Sequence, residues 1–416
     1  MLLTAPLRRR DFRLLWTGMA VSLLGDGIFI VAVAWQAYSI SNSPSALAYI
    51  GVSTSLPQVV LLLVGGAVSD RWSRRAILVW SDLVRGAALA GLSIVVAAGA
   101  ARLYELCLAG VIIGTATAFA SPAFDAMVPQ LVPEAELTQA NAIEQFVRPS
   151  AVQLAGPALG GIAVVILRPA GSFAVDGASF AFSALCVARM TRLPRSQPSG
   201  ASMAHDVVEG LRYVRSHVWL WATFVSATLT YLLFIGPILV LLPYIVRNSL
   251  HQGATTYGTV LAVGGVGALT GALFSGRRPH PRSAMTWIYV SWTVATLAVA
   301  GYGLATNAVG LACAAFVVNG AEAAGTVVWV TLKQRRVANS MLGRVSSIDW
   351  CISTALLPLS YALTAPVAHV LGARRTLVIA GVLGAAVTLA FLFVPGMRGG
   401  DEPAVALAGE ANDHQA

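Results

Sequence analysis

The chain has 416 residues, of which 57% are hydrophobic and 11% charged, with a formal net charge of +9 and a mean hydropathy of +0.74. Soluble domains carry roughly 25% charged residues, so this chain has too little charge to cover a water-exposed surface and reads as a membrane protein. Its basic residues are scattered between apolar runs and form no single patch; this argues against a nucleic-acid partner and fits the arginine bias of cytoplasmic membrane loops.

Arg8, Arg9, Arg10 and Arg13 precede an apolar run over 14–38. At about 25 residues it is long enough to span a bilayer and too long for a cleaved signal segment. Further spans are predicted over 46–68, 76–98, 103–124, 141–166 and 169–188. A polar stretch over 189–217 follows, and then spans over 218–246, 254–276, 284–304, 308–332, 345–370 and 376–394. The expected class is therefore an all-α membrane protein with twelve transmembrane helices. It divides into an N-terminal six-helix bundle (1–188), a linker (189–217), a C-terminal six-helix bundle (218–394) and a disordered tail (395–416). Within the linker, Val207, Val208, Leu211 and Val214 recur at helical spacing between Asp206, Glu209, Arg212 and Arg215, the pattern of an amphipathic helix lying on the membrane surface. Cys107, Cys186, Cys313 and Cys351 all lie in apolar runs without ligand spacing, which points to packing rather than metal binding or disulfides. No metal or cofactor is expected.

The arginines predict which side is which. Turns on the N-terminal side hold roughly 20 basic residues against 5 on the other (Arg102, Arg168, Arg247, Arg374 and Arg375). Both termini are therefore expected in the cytoplasm, and Arg374 with Arg375 is a local exception.

Ionisable residues inside spans are the best functional clues, because buried charge is costly unless used or paired. Asp26 falls at the middle of the first span and Glu322 near the middle of the tenth. One acid per half at matching depth is what a proton- or cation-coupled site needs; the alternative for Asp26 is a backbone hydrogen bond at a distortion between Gly25 and Gly27. Asp82 and Arg85 are three apart and Glu144 and Arg148 four apart, so each pair can meet on one helical face. Asp176 and Asp349 lie toward span ends and are expected to be caps or interface contacts. Phe29, Phe119, Phe124, Tyr231, Phe234, Phe316 and Trp329 are candidate walls of an apolar cavity. No phosphate-binding loop or catalytic constellation occurs, so neither ATP-driven transport nor an enzyme is expected.

Two motifs carry a family resemblance. The stretch 66–75, Gly-Ala-Val-Ser-Asp-Arg-Trp-Ser-Arg-Arg, resembles the turn between the second and third helices of the major facilitator superfamily, with Ser73 where the family usually has glycine. The stretch 156–161, Gly-Pro-Ala-Leu-Gly-Gly, resembles the fifth-helix motif of its drug:proton antiporters. Arg-Asp-Phe-Arg-Leu-Leu-Trp at 10–16 and Leu-Gly-Arg-Val at 342–345 look like the branch of macrolide-efflux and enterobactin-exporter proteins. The likeness covers 8–394. It departs from the family in lacking an arginine early in the fourth span, and in lacking the acid in the second-half turn, 271–278.

The resemblance implies that spans 1, 4, 7 and 10 line a central cavity. It also implies that Gly66, Asp70, Arg71, Arg74 and Arg75 form a gating turn, with Asp70 as latch, and that Gly156, Pro157, Gly160 and Gly161 bend and seal the fifth helix. Asp26, Glu322, Arg85, Glu144 and Arg148 become proton-coupling candidates. The expected function is a monomeric secondary transporter of the plasma membrane, exporting amphiphilic small molecules such as drugs, antibiotics or siderophores in exchange for protons, with lipid as its surroundings. A solute importer or facilitator on the same fold and a non-transporting membrane scaffold or sensor are the rivals.

Overall fold

The computed structural model describes residues 5–191, 203–277, 281 and 283–398, and these are helical almost throughout. In the first half are α1 (Arg10–Ile40), α2 (Pro44–Arg71), α3 (Arg74–Ala97), α4 (Leu103–Leu131), α5 (Glu134–Pro149) and α6 (Gly156–Ala188), with a π-helical stretch, Ser150–Ala155, between the last two. The linker contains α7 (Met203–Ser216). The second half has α8 (Val218–Tyr244), α9 (Ala254–Gly276), α10 (Ala284–Leu304), α11 (Ala308–Arg336), α12 (Asn339–Thr354), α13 (Leu357–Leu371) and α14 (Ala373–Phe391). Among the described residues, eleven helical stretches are long and apolar enough to cross a membrane.

One of these, Phe146–Ala188, is 43 residues long. Straight, it would extend about 65 Å, twice the roughly 30 Å of hydrocarbon. It is not straight. Arg168 has φ 59° and ψ 172°, and the arms on either side of it touch adjacent positions of α1. A methyl group on Gly27 would lie 2.7 Å from the Gly156 Cα, and one on Gly25 would lie 2.3 Å from the Asp176 carboxylate. Twenty residues of straight helix would hold Gly156 and Asp176 about 30 Å apart. The chain therefore reverses at Arg168, and Pro169, which has no N–H to lose, opens the returning arm. The reversal falls between the spans expected over 141–166 and 169–188, and it sets Asp176 against Gly25 of α1, beside Asp26.

Two boundaries differ from the expected ones. Helix α2 continues through Gly66 and Ser69 to Arg71, with the Ser69 hydroxyl donating to the Gly66 carbonyl at 2.8 Å and the Trp72 N–H to the Val68 carbonyl at 2.9 Å. The break between α2 and α3 thus narrows to Trp72 and Ser73, and the Ser73 hydroxyl caps α3 by accepting from the Ala76 N–H at 3.4 Å. Ser73 has φ −64°, a backbone that needs no glycine, which explains how this chain departs from the usual residue there. The eleventh expected span is broken into α12 and α13 at Ala355 and Leu356. Pro358 cannot follow unbroken helix without clashing with the preceding turn, and the Ile352 carbonyl beside the break accepts from the Thr228 hydroxyl of α8 at 2.7 Å.

Lipid tails are as apolar as leucine, so helices here gain little from hydrophobic burial alone and are held by close packing and hydrogen bonds. In the first half α1 packs on α6, α2 on α4, and α3 on α4 and α6; in the second, α9 packs on α11, α10 on α11 and α14, and α8 on α13 and α14. Gly65 sets one such approach, because a methyl group there would strike the Ala118 carbonyl of α4. Across the halves, α6 packs on α9 and α2 on α13. Helix α7 lies under the second half: Gly210 sits against Ile348 and Arg344 of α12, and the Glu209 carboxylate is 2.7 Å from the Arg344 guanidinium. Residues 192–202 of the linker lie outside the described set. At the other end of the second half, 395–398 fold back on α8 with Met397 fully buried, and the remainder of the tail, 399–416, is outside the described residues.

Among the described residues the buried apolar side chains form three clusters. One draws on both halves, joining Tyr38, Leu47 and Phe173 to Val240, Tyr257 and Leu377. It lies at the end of the bundle that is poor in arginine. There the Tyr38 hydroxyl donates to the Val240 carbonyl at 2.5 Å, the Asn42 amide donates to Asn248 at 2.7 Å, and the Arg247 guanidinium rests over the Trp35 ring. At the arginine-rich end the cores separate. One cluster, around Phe12, Trp16 and Met127, is built from the first half with Met190 just past α6; the other, around Trp219, Tyr289 and Trp329, is built from the second half with Val214 of α7. The halves are closed together at one end and apart at the other.

Candidate functional site

A cavity of about 380 Å3 lies in the first half. Along α1 it is lined by Leu15, Met19, Ser22, Leu23 and Asp26, the 3–4 spacing of a single helical face. It therefore runs about 16 Å inward from the arginine-rich end, and Asp26 sits midway along the 31-residue helix. Four carboxylates, Asp26, Asp82, Asp125 and Glu144, share this lining with two guanidiniums, Arg85 and Arg148. Asp82 and Arg85 pair at 2.5 Å, with the guanidinium 4.3 Å from the centre of the Phe180 ring. Glu144 and Arg148 pair at 3.0 Å. Both pairs follow the spacing legible in the sequence.

Asp26 is different, since its carboxylate has no hydrogen-bond or ion-pair partner among the described residues. Helix α1 runs undistorted past Gly25 and Gly27. The two glycines instead make room for neighbours: Gly25 for the Asp176 carboxylate and the Ser179 hydroxyl, Gly27 for Gly156 and Pro157. Asp176 is only 1% exposed and accepts from the Ser179 hydroxyl at 3.2 Å.

The second half has a smaller cavity, of about 60 Å3, lined by Ser226, Thr230, Tyr231, Phe234, Trp292 and Glu322 among others. Glu322, midway along α11, also has no described partner. Tyr231 and Phe234 meet edge-on with ring centres 5.8 Å apart. Phe124 lines the first-half cavity, and the remaining aromatic candidates are placed elsewhere. Phe29 packs on Phe173, Phe119 packs against the first-half core, and Trp329 lies among Trp219, Phe224 and Trp292. Phe316 is 38% exposed, and its backbone lies close against Gly267.

The fifth-helix motif is wedged between two helices. Gly156 and Gly160 face Gly27 and Ile28 of α1, while Gly161 and the Pro157 carbonyl face Gly258 of α9 in the other half. A methyl group on Gly258 would lie 2.4 Å from that carbonyl. Lower down, Gly265 of α9 admits the Gln153 backbone in the same way. In the turn motif, Arg71 is exposed, Arg74 donates to the Ala126 carbonyl at 2.9 Å, and Arg75 donates to the Val187 carbonyl at 3.1 Å and to the Ala188 carbonyl. Arg75 thus satisfies the last carbonyls of α6, where a cation is also favoured by the helix dipole. The side chain of Asp70 lies outside the described residues.

Three site residues escaped the sequence. Asp125 lies one residue past the expected end of its span, and α4 in fact continues to Leu131. Trp350, on α12, lines the first-half cavity from the other half. Lys333, read as part of a basic turn, is buried and paired with Asp349 at 2.5 Å. An acid and a tryptophan side by side within an apolar run, Asp349-Trp350, was the available signal for the last two.

Two helical halves, closed at one end around a polar cavity open at the other, define a membrane transporter of the major facilitator type. The model of the major facilitator family described as transmembrane secretion effectors matches residues 3–407, and the chain belongs to that family. It is 26% identical over 386 residues to an uncharacterised transporter of the superfamily, y4rN, from Sinorhizobium fredii, covering 90% of this chain and 92% of that one. It is 25% identical over 379 residues to macrolide efflux protein A of Streptococcus pyogenes, covering 89% and 93%. Among solved structures, a bacterial homologue of the iron transporter ferroportin in its inward-facing state superposes with a TM-score of 0.68 at 16% identity, covering 92% of this chain and 98% of that one. The family and these relatives are transporters, not enzymes.

Proposed function

We propose that the protein is a proton-coupled exporter of amphiphilic small molecules in the plasma membrane, working by alternating access. The observation that carries this reading is Asp26, an unpartnered carboxylate at mid-span that faces the first-half cavity. An ionisable group in that position is costly unless it is used, and a carboxylate that yields its proton to the cytoplasm as substrate binds gives the exchange. Glu322 occupies the matching depth in the other half and is the second candidate. Similarity to a protein named for macrolide efflux supports the direction.

In this reading α6 crosses twice, about Arg168, so the chain makes twelve crossings with both termini in the cytoplasm. The arginine-rich end is then cytoplasmic, and the described conformation is open to the cytoplasm and shut outside. The Gly156–Pro157–Gly161 wedge against α9 holds the outer closure, and Asp70 with its neighbouring arginines latches the inner mouth in the opposite state. Protein in inside-out vesicles should accumulate substrate when the lumen is made acid, and a protonophore should abolish the accumulation. Accumulation indifferent to the collapsed gradient contradicts the proposal.

A further inference from the structure

Trp350 is the one described residue from beyond the linker that lines the first-half cavity. It is a large apolar residue left 61% exposed, on a helix that mixes apolar with small polar residues. Its orientation is fixed by its neighbours. Asp349, the preceding residue, is tied to α11 by the Lys333 ammonium at 2.5 Å and the Trp329 indole N–H at 3.2 Å. Two residues on, the Ile352 carbonyl is tied to Thr228 of α8. With one helical face anchored, the adjacent position lies about 100° round the axis, and the indole stands towards the opposite half.

What it faces there is uneven in charge. The Asp82–Arg85 and Glu144–Arg148 pairs neutralise themselves, leaving Asp26 and Asp125 without described partners. Leu15, Met19 and Phe124 supply apolar wall between them. At about 380 Å3 the space is within the range of small-molecule sites. An aromatic face on one side and unpaired carboxylates on the other favour a cation that also carries apolar bulk, since the ring quadrupole and the carboxylates both attract positive charge.

We propose that Trp350 is the second half's contribution to the binding site, and that the site selects organic cations held between this indole and Asp26. This deepens the exporter reading and rests on it only in taking the cavity as the substrate's. The indole, brought by one half to the charged wall of the other, is then a specificity-determining residue.

The test is equilibrium binding to the purified full chain in detergent, with radiolabelled tetraphenylphosphonium and tetraphenylborate, ions of nearly the same shape and opposite charge. The phosphonium should bind at least about tenfold more tightly than the borate. W350A should weaken phosphonium binding about tenfold, and W350F should keep it within about threefold. Equal binding of the two ions, preference for the borate, binding of neither, or a folded W350A indistinguishable from wild type overturns the inference. Should W350A not fold, the comparison of the two ions on the wild-type protein decides the charge preference and W350L decides the role of the ring. Phosphonium binding that depends on Trp350, without proton-driven transport in vesicles, supports this inference and overturns the exporter reading. Proton-driven export with binding that ignores Trp350 does the reverse.

Discussion

The Lys333 ammonium of α11 and the Asp349 carboxylate of α12 meet at 2.5 Å, with the Trp329 indole donating to the same oxygen and the Ser353 hydroxyl donating to the other at 3.1 Å. Lys333 and Asp349 are only 10% and 17% exposed as side chains. Breaking such a pair leaves a charge buried alone, at about 3–5 kcal/mol, whereas replacing both partners by apolar residues is often neutral. Lys333→Met or Asp349→Leu alone should therefore lower the apparent Tm in detergent markedly, and the double substitution should restore most of it. A double variant as unstable as the sum of the singles argues against the pair.

The contact between the halves at Gly258 is sterically tight, while Gly91 of α3 has nothing within 4 Å of where a Cβ would sit. Gly258→Ala should force α9 from the Pro157 carbonyl and destabilise the protein by about 1–3 kcal/mol. Gly91→Ala should be neutral or stabilising by up to about 1 kcal/mol, the difference in helix propensity. Thermal unfolding of both variants compares them, and transport by Gly258→Ala should fall with the closure it disturbs.

The reversal at Arg168 forces a non-glycine residue to φ 59° and ψ 172°, a region that costs a side-chain-bearing residue about 1–3 kcal/mol. Arg168→Gly should raise the apparent Tm, and Arg168→Ala, which keeps a Cβ, should not. The same result from both variants would place the strain elsewhere.

Much of this was legible in the sequence. Apolar run lengths locate the helices, because the bilayer fixes the length a span must have. The pairs Asp82–Arg85 and Glu144–Arg148 follow from helical spacing alone. What the sequence withholds is which way a side chain faces in a helix that is apolar on nearly every side. Phe29, Phe119 and Trp329 pack into cores, while Tyr231 and Phe234 line a cavity, although all five sit in similar apolar surroundings along the chain. The contact of Asp176 with α1 depends on how α6 packs there, and Lys333 looks like one more basic residue of a cytoplasmic turn until Asp349 is brought beside it by α12. Gly65 makes a tight approach to the Ala118 carbonyl of α4, a contact that spacing alone does not reveal.

The central claim is that Asp26 gives up a proton when substrate binds. Substrate added to purified protein in weakly buffered solution, with a pH indicator present, reads this directly. Wild type should release close to one proton for each substrate bound, and Asp26→Asn, brought to the same occupancy by raising the substrate concentration to offset its weaker binding, should release almost none. Undiminished release from Asp26→Asn would contradict the account.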